Sequence, residues 1–175
     1  MARLFHLYVR VNDFISLAAI SVGGAIMGFA VFALLLSAFE RYFIGMGYSW
    51  INDLPPLLMP WAIFPVLGVI IRDELHIRVE IAHSMLTDKP RIILQIFVHT
   101  VCFVSALTFC IGSSDAVAFF RMLGEVTELE FEFPKWWIYL AFPVGFGILA
   151  NFSFEGIIRE SLKLTDGTYE TEVES

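Results

Sequence analysis

Four stretches of this chain contain no charged residue: Phe14–Phe39, Leu54–Ile71, Ile92–Ser114 and Trp136–Phe154, of 26, 18, 23 and 19 residues. Crossing roughly 30 Å of hydrocarbon takes about 20 residues of helix. Lipid offers no partner to backbone N–H and C=O groups, so a spanning segment must pair them internally. These runs therefore predict an all-α membrane protein with four transmembrane helices, at about residues 14–39, 54–71, 92–115 and 135–157. Composition agrees. Hydrophobic residues make up 58% and charged ones 17%, against about 45–50% and 25% in soluble domains.

Residues 1–164 read as a single four-span domain and 165–175 as an acidic disordered tail. Asp166, Glu170, Glu172 and Glu174 in that tail supply much of the net charge of −7, so the acidity does not point to a soluble basic partner. No nucleic-acid partner is expected. The first span is longer than the apolar core of a signal peptide, about 7–15 residues, and it reads as retained. Ahead of it, Arg3, His6, Arg10 and Asp13 fall on one helix face, with Leu4, Leu7, Tyr8 and Val11 around the rest. That pattern predicts an N-terminal interfacial helix; the alternative is a longer first helix.

Lysine and arginine are unevenly distributed. Eight of the 11 fall at the two ends and in the middle loop: Arg3, Arg10, Arg72, Arg78, Lys89, Arg91, Arg159 and Lys163. Arg41, Arg121 and Lys135 fall in the first and third loops. Positive residues concentrate on the cytoplasmic side, which places both termini in the cytoplasm of a multi-pass membrane protein. An even number of spans requires the same.

Within the spans, Gly23, Gly24 and Gly28 are candidate helix-packing positions, because small residues let helices approach closely in lipid. Pro55, Pro56, Pro60 and Pro65 crowd the second span; the last two each remove an internal hydrogen bond and predict a bend. Gln95 and His99 share a face of the third span at i and i+4, with Thr100, Ser105 and Thr108 beyond. An interhelical hydrogen bond explains them more simply than an ion relay. Cys102 and Cys110 lie eight residues apart on one helix, too far for a disulfide. In the third loop Thr127–Phe133 alternates like a strand, Pro134 opens the last helix, and Trp136, Trp137 and Tyr139 form an interfacial belt. Glu125, Glu128, Glu130 and Glu132 make that loop acidic, a candidate docking patch for a partner outside the membrane. Glu155 and Arg159, at i and i+4, predict an interfacial pair.

The chain shows no glycine-rich phosphate loop, no metal-ligand cluster, and only one histidine, His99, well inside a span. No catalytic, metal, substrate-binding or cofactor residue is assigned, and the chain reads as a non-enzyme that neither catalyses nor transports alone.

The stretch from Trp50 to Ile81, "WINDLPPLLMPWAIFPVLGVIIRDELHIRVEI", resembles the hallmark segment of the small membrane subunit (DctQ-like) of tripartite ATP-independent periplasmic (TRAP) transporters. Trp50, Asp53, Leu54, Trp61, Arg72, His76, Ile77, Val79 and Glu80 fall in step with it, as do Pro134, Trp137, Tyr139, Pro143 and Gly145 in the second signature. Asp53, Pro56 and Val66 stand where that family commonly has Glu, Arg and Gly. The resemblance implies a non-catalytic small permease subunit of a sodium-coupled secondary transporter for organic acids such as dicarboxylates or sialic acid. Its implied partners are a large membrane transport subunit, a periplasmic substrate-binding protein and membrane lipids. The alternatives are the membrane anchor of an electron-transfer complex, with His99 as its motive, and the small subunit of a tripartite tricarboxylate transporter. "HIRVEI" (76–81) would then be an amphipathic cytoplasmic segment between spans two and three, with Ile77, Val79 and Ile81 towards lipid or partner. Helix is expected there, since extended structure at an interface leaves unpaired edges.

Overall fold

In a computed structural model of the chain, the described backbone covers residues 2–43, 45, 49–83, 88–127 and 132–166, and the described side chains are 6–43, 45, 51–72, 90–127 and 132–164. Five helices occur among them: α1 (Ala2–Phe43), α2 (Ser49–His83), α3 (Asp88–Leu123), α4 (Trp136–Tyr139) and α5 (Ala141–Asp166). Four segments are long and apolar enough to cross a membrane: His6–Phe43, Ile51–Arg72, Pro90–Leu123 and Trp136–Leu164. There is no named strand among the described residues.

One boundary differs from the expectation. The interfacial helix expected before span one is not a separate element, because α1 is continuous through all 42 residues. Tyr8, Asn12 and Asp13 bond to α5 and α2, which draws this segment into the bundle. Residues 128–131 of the strand-like run in loop three lie outside the described residues; at its base Val126 and Pro134 form an antiparallel bridge. Thr127 N donates to Phe133 O at 2.8 Å and Lys135 N to Glu125 O at 2.9 Å, closing the loop at its base. Gly124 ends α3 in the left-handed conformation, φ +63°, which glycine adopts without steric cost.

α2 stays helical across Pro55, Pro56, Pro60 and Pro65 and through the "HIRVEI" segment. Helix keeps the backbone bonds of 76–81 internal, which the extended alternative would not. The last span is divided: α4 is a single turn, and α5 restarts after Leu140. Pro143 lacks the N–H that would have bonded the carbonyl of Tyr139, so the interruption sits where the ladder has lost a rung.

The helices form a row in the order α1, α2, α5, α3, each packed on the next, while α2 and α3 barely touch. Ala19, Val69 and Phe152 form a small core where α1, α2 and α5 meet, joined by Ile15 and Ile148. Glycines set the close approaches. A Cβ on Gly23 would lie 2.8 Å from Ala62 O and Val66 Cγ2, between α1 and α2. One on Gly68 would lie 3.0 Å from Leu149 N, and one on Gly145 2.5 Å from Phe64 C and Cβ, both between α2 and α5. A Cβ on Gly156 would collide with the His99 ring, between α5 and α3. The outer faces of the row remain apolar, with Phe14, Leu17, Phe32 and Leu35 exposed on α1 and Phe97, Phe109 and Ile111 on α3.

Candidate functional site

Polar side chains in an apolar span need partners, and their spacing decides which helices they join. On α5, Asn151, Glu155 and Arg159 recur every four residues and so share one face; Tyr8 and Asn12 do the same on α1. The two faces meet. Tyr8 Oη donates to Asn151 Oδ1 at 2.8 Å, Asn151 Nδ2 to Asn12 Oδ1 at 2.7 Å, and Asn12 Nδ2 to Glu155 Oε2 at 2.7 Å. Glu155 is the hub. Its Oε1 accepts from Arg159 at 2.7 Å and from Arg72, on α2, at 3.1 Å. Arg72 also meets Asp13 of α1 at 2.6 Å and lies over the Phe152 ring, 5.2 Å from its centroid.

Asn12 and Glu155 are each only 1% exposed. A carboxylate that deep is tolerated only when paired and hydrogen-bonded, and the network supplies both. Arg72 and Arg159 balance Glu155 and Asp13, so the cluster is neutral in sum. It ties three helices together at the end of the row that carries the start of α1 and the end of α5.

Gln95 and His99 approach the same region from α3 and line one cavity with Arg72, Glu155 and Glu160. His99 is buried, and its Nδ1 has no hydrogen-bond partner among the described residues; the same is true of Glu160 Oε2. Thr100 and Thr108 bond back to Ile96 O and Val104 O of their own helix, at 2.7 and 2.9 Å. Among the described residues they form no hydrogen bond between helices.

The opposite end holds the second group of motif residues. Trp61 Nε1 donates to Trp137 O at 3.0 Å, tying α2 to α4. Tyr139 stacks on Phe120 with centroids 4.0 Å apart, and Arg121 lies 5.7 Å from the Trp136 centroid. Pro134 closes the base of the loop, Cys110 Sγ donates to Pro143 O at 3.5 Å, and Gly145 seats α5 against Phe64. Glu125 is paired with Lys135 at 3.0 Å, and Glu132 is exposed. Asp53 is exposed and Leu54 half-buried on α2. Gly24 and Gly28 face open space on α1, unlike Gly23. The side chains of Trp50, His76, Ile77, Val79 and Glu80, together with Glu128, Glu130 and the tail from 167, lie outside the described residues.

The structure thus separates the described motif residues into two ends. Arg72 works at the buried network, whereas Trp61, Pro134, Trp137 and Tyr139 work at the loop end. The i, i+4 pair expected of Glu155 and Arg159 forms, and Glu155 is fully buried, because α1 and α2 close over it. Tyr8, Asn12 and Asn151 were missed. The available signal was the i, i+4 spacing of Asn151 to Glu155 across the end of a charge-free run.

Residues 30–162 match the family model described as "Tripartite ATP-independent periplasmic transporters, DctQ component". No curated protein and no solved structure matches the chain.

Proposed function

The chain belongs to the DctQ component family of tripartite ATP-independent periplasmic transporters, and on that footing we propose that it is the non-catalytic scaffold for the large membrane transport subunit of a sodium-coupled organic-acid importer. The family match over residues 30–162 carries this reading. The architecture supports it. The deepest charge, Glu155, is engaged by Arg72, Arg159 and Asn12 from three helices, as suits a part that holds shape. The edge helices α1 and α3 keep long apolar faces open, and Gly24 and Gly28 on α1 leave room for a neighbouring helix to approach closely.

In this reading both termini are cytoplasmic, as the lysine and arginine distribution favours, and the protein sits in the bacterial inner membrane. The third loop then faces the periplasm, where Glu125, Glu128, Glu130 and Glu132 help dock the substrate-binding protein. The test is a tagged pull-down from gently solubilised native membranes, with co-purifying proteins identified by mass spectrometry. A large, many-span transporter subunit is expected. Recovery of a flavin or iron–sulfur protein in its place would overturn the scaffold role.

A further inference from the structure

Along α1, Leu34, Ala38 and Tyr42 follow one another at intervals of a helical turn, with Ser37 and Arg41 beside them. Ala38 is a notch between two large side chains, and Asn52 of α2 stands across from it. The result is a groove of about 420 Å³ at the loop end of the row, lined by these six residues. Small-molecule sites typically occupy about 300–1,000 Å³.

The polar part of this groove is built into the packing. Ser37 is 3% exposed, and its Oγ donates to Asn52 Oδ1 at 2.7 Å. With Oδ1 taken, Asn52 offers the groove its Nδ2–H donors. The Arg41 guanidinium and the Tyr42 hydroxyl bring more. Arg41 is the one charged residue of the lining. Glu40 precedes it but stands about 100° round the helix, and Asp53 is exposed on α2; neither lines the groove. No ion pair joins Arg41 to another described residue, and the neighbouring segment 44–50, "IGMGYSW", contains no carboxylate. The groove therefore presents several donors, one cation and no counter-charge.

Its position narrows the ligand. Leu34 and Ala38 belong to the charge-free run Phe14–Phe39, and Glu40 and Arg41 are the first charges beyond it. Phe39, Tyr42 and Phe43 are exposed at the same level, where aromatic side chains sit among lipid head groups and long basic side chains extend towards them. An occupant thus needs an apolar end beside Leu34 and Ala38 and an anionic, oxygen-rich end beside Arg41, Asn52 and Tyr42. A soluble anion lacks the first. An ammonium group on the head would meet no carboxylate in the lining.

We infer that this groove binds an anionic phospholipid of the leaflet at the loop end, with its phosphodiester on Arg41 and Asn52 and part of a chain against Leu34 and Ala38. Phosphatidylglycerol has this chemistry, whereas phosphatidylethanolamine and phosphatidylcholine carry a compensating cation. The site is read from this chain alone and does not rest on the scaffold role.

The experiment uses the full chain, purified in mild detergent, stripped of lipid and heated with phosphatidylglycerol, phosphatidylethanolamine, phosphatidylcholine or inorganic phosphate. Phosphatidylglycerol should raise the unfolding midpoint, and the other three should not. Arg41→Gln should raise the lipid concentration needed for half the shift about tenfold, the scale of one charge-assisted hydrogen bond. Ala38→Phe fills the notch, keeps the charge and should weaken binding at least as much. Both positions are exposed, so the variants should fold as the parent does. In the complex purified with its large subunit, phosphatidylglycerol should be retained and Arg41→Gln should deplete it. Equal protection by the zwitterionic lipids, protection by phosphate alone (an adventitious ion only), or an unchanged response in either variant would overturn the inference. So would a wild-type complex that retains no phosphatidylglycerol, since the partner subunit would then occupy the groove.

Discussion

Arg72 is the residue whose loss should be felt most. Its guanidinium joins Asp13 of α1 and Glu155 of α5, and its side chain is only 13% exposed. Breaking a buried pair by removing one partner costs about 3–5 kcal/mol, because the other charge is left uncompensated. Arg159 still reaches Glu155, so Arg72→Ala should fall near the lower end of that range. Arg159→Ala should cost about 1 kcal/mol or less, since that side chain is one-third exposed and its pair is screened. Unfolding midpoints of the two variants in mild detergent provide the comparison. Equal losses would mean that Glu155 is not held chiefly by Arg72. His99 illustrates the same scale from the other side. Its ring fits against α5 only because position 156 has no side chain, and no property of the histidine alone announces that.

At the scale of helices, glycines in this chain have two distinct uses. Gly23, Gly68, Gly145 and Gly156 each sit where a neighbouring helix leaves no room for a Cβ, whereas Gly24 and Gly28 meet nothing within 4 Å. Gly145→Ala should therefore push α5 from the backbone of Phe64 and destabilise the chain by about 1–3 kcal/mol, the usual cost of overpacking. Gly24→Leu should leave the unfolding midpoint of the isolated chain nearly unchanged while reducing recovery of the large subunit in a pull-down. Unchanged recovery would remove α1 from the partner interface. The contrast separates packing within the chain from packing against another. Spacing alone had grouped Gly23 with Gly24 and Gly28, although adjacent positions on a helix point about 100° apart and only one of the pair can face α2.

For the molecule as a whole, the row of helices leaves two broad faces and two edges apolar, with polar structure gathered at its ends. The loop end is closed by the Val126–Pro134 bridge, the Glu125–Lys135 pair and the Trp61–Trp137 bond, so loop three is presented from a braced base. Replacing Glu125, Glu128, Glu130 and Glu132 by Gln should weaken uptake several-fold when binding protein is limiting and leave it intact when binding protein saturates. A loss at both concentrations would instead indicate a damaged base, since Glu125 pairs with Lys135.

The sequence by itself determined that the chain crosses a membrane four times as helices. The charge-free runs have the required length, and lipid leaves an unpaired backbone no other partner. It also determined local pairings, such as Glu155 with Arg159, because helical spacing puts i and i+4 on one face. Only the tertiary structure decided the order α1, α2, α5, α3, the burial of Glu155 beneath Asn12 and Arg72, and the cleft lined by Gln95 and His99. The physical reason lies in the solvent. In water, an apolar stripe marks the face of a helix that turns inward, whereas in lipid every face is apolar and close packing and polar contacts choose the neighbours. Those contacts join residues some 140 positions apart, as from Asn12 to Glu155, and no local pattern relates them until the helices have met.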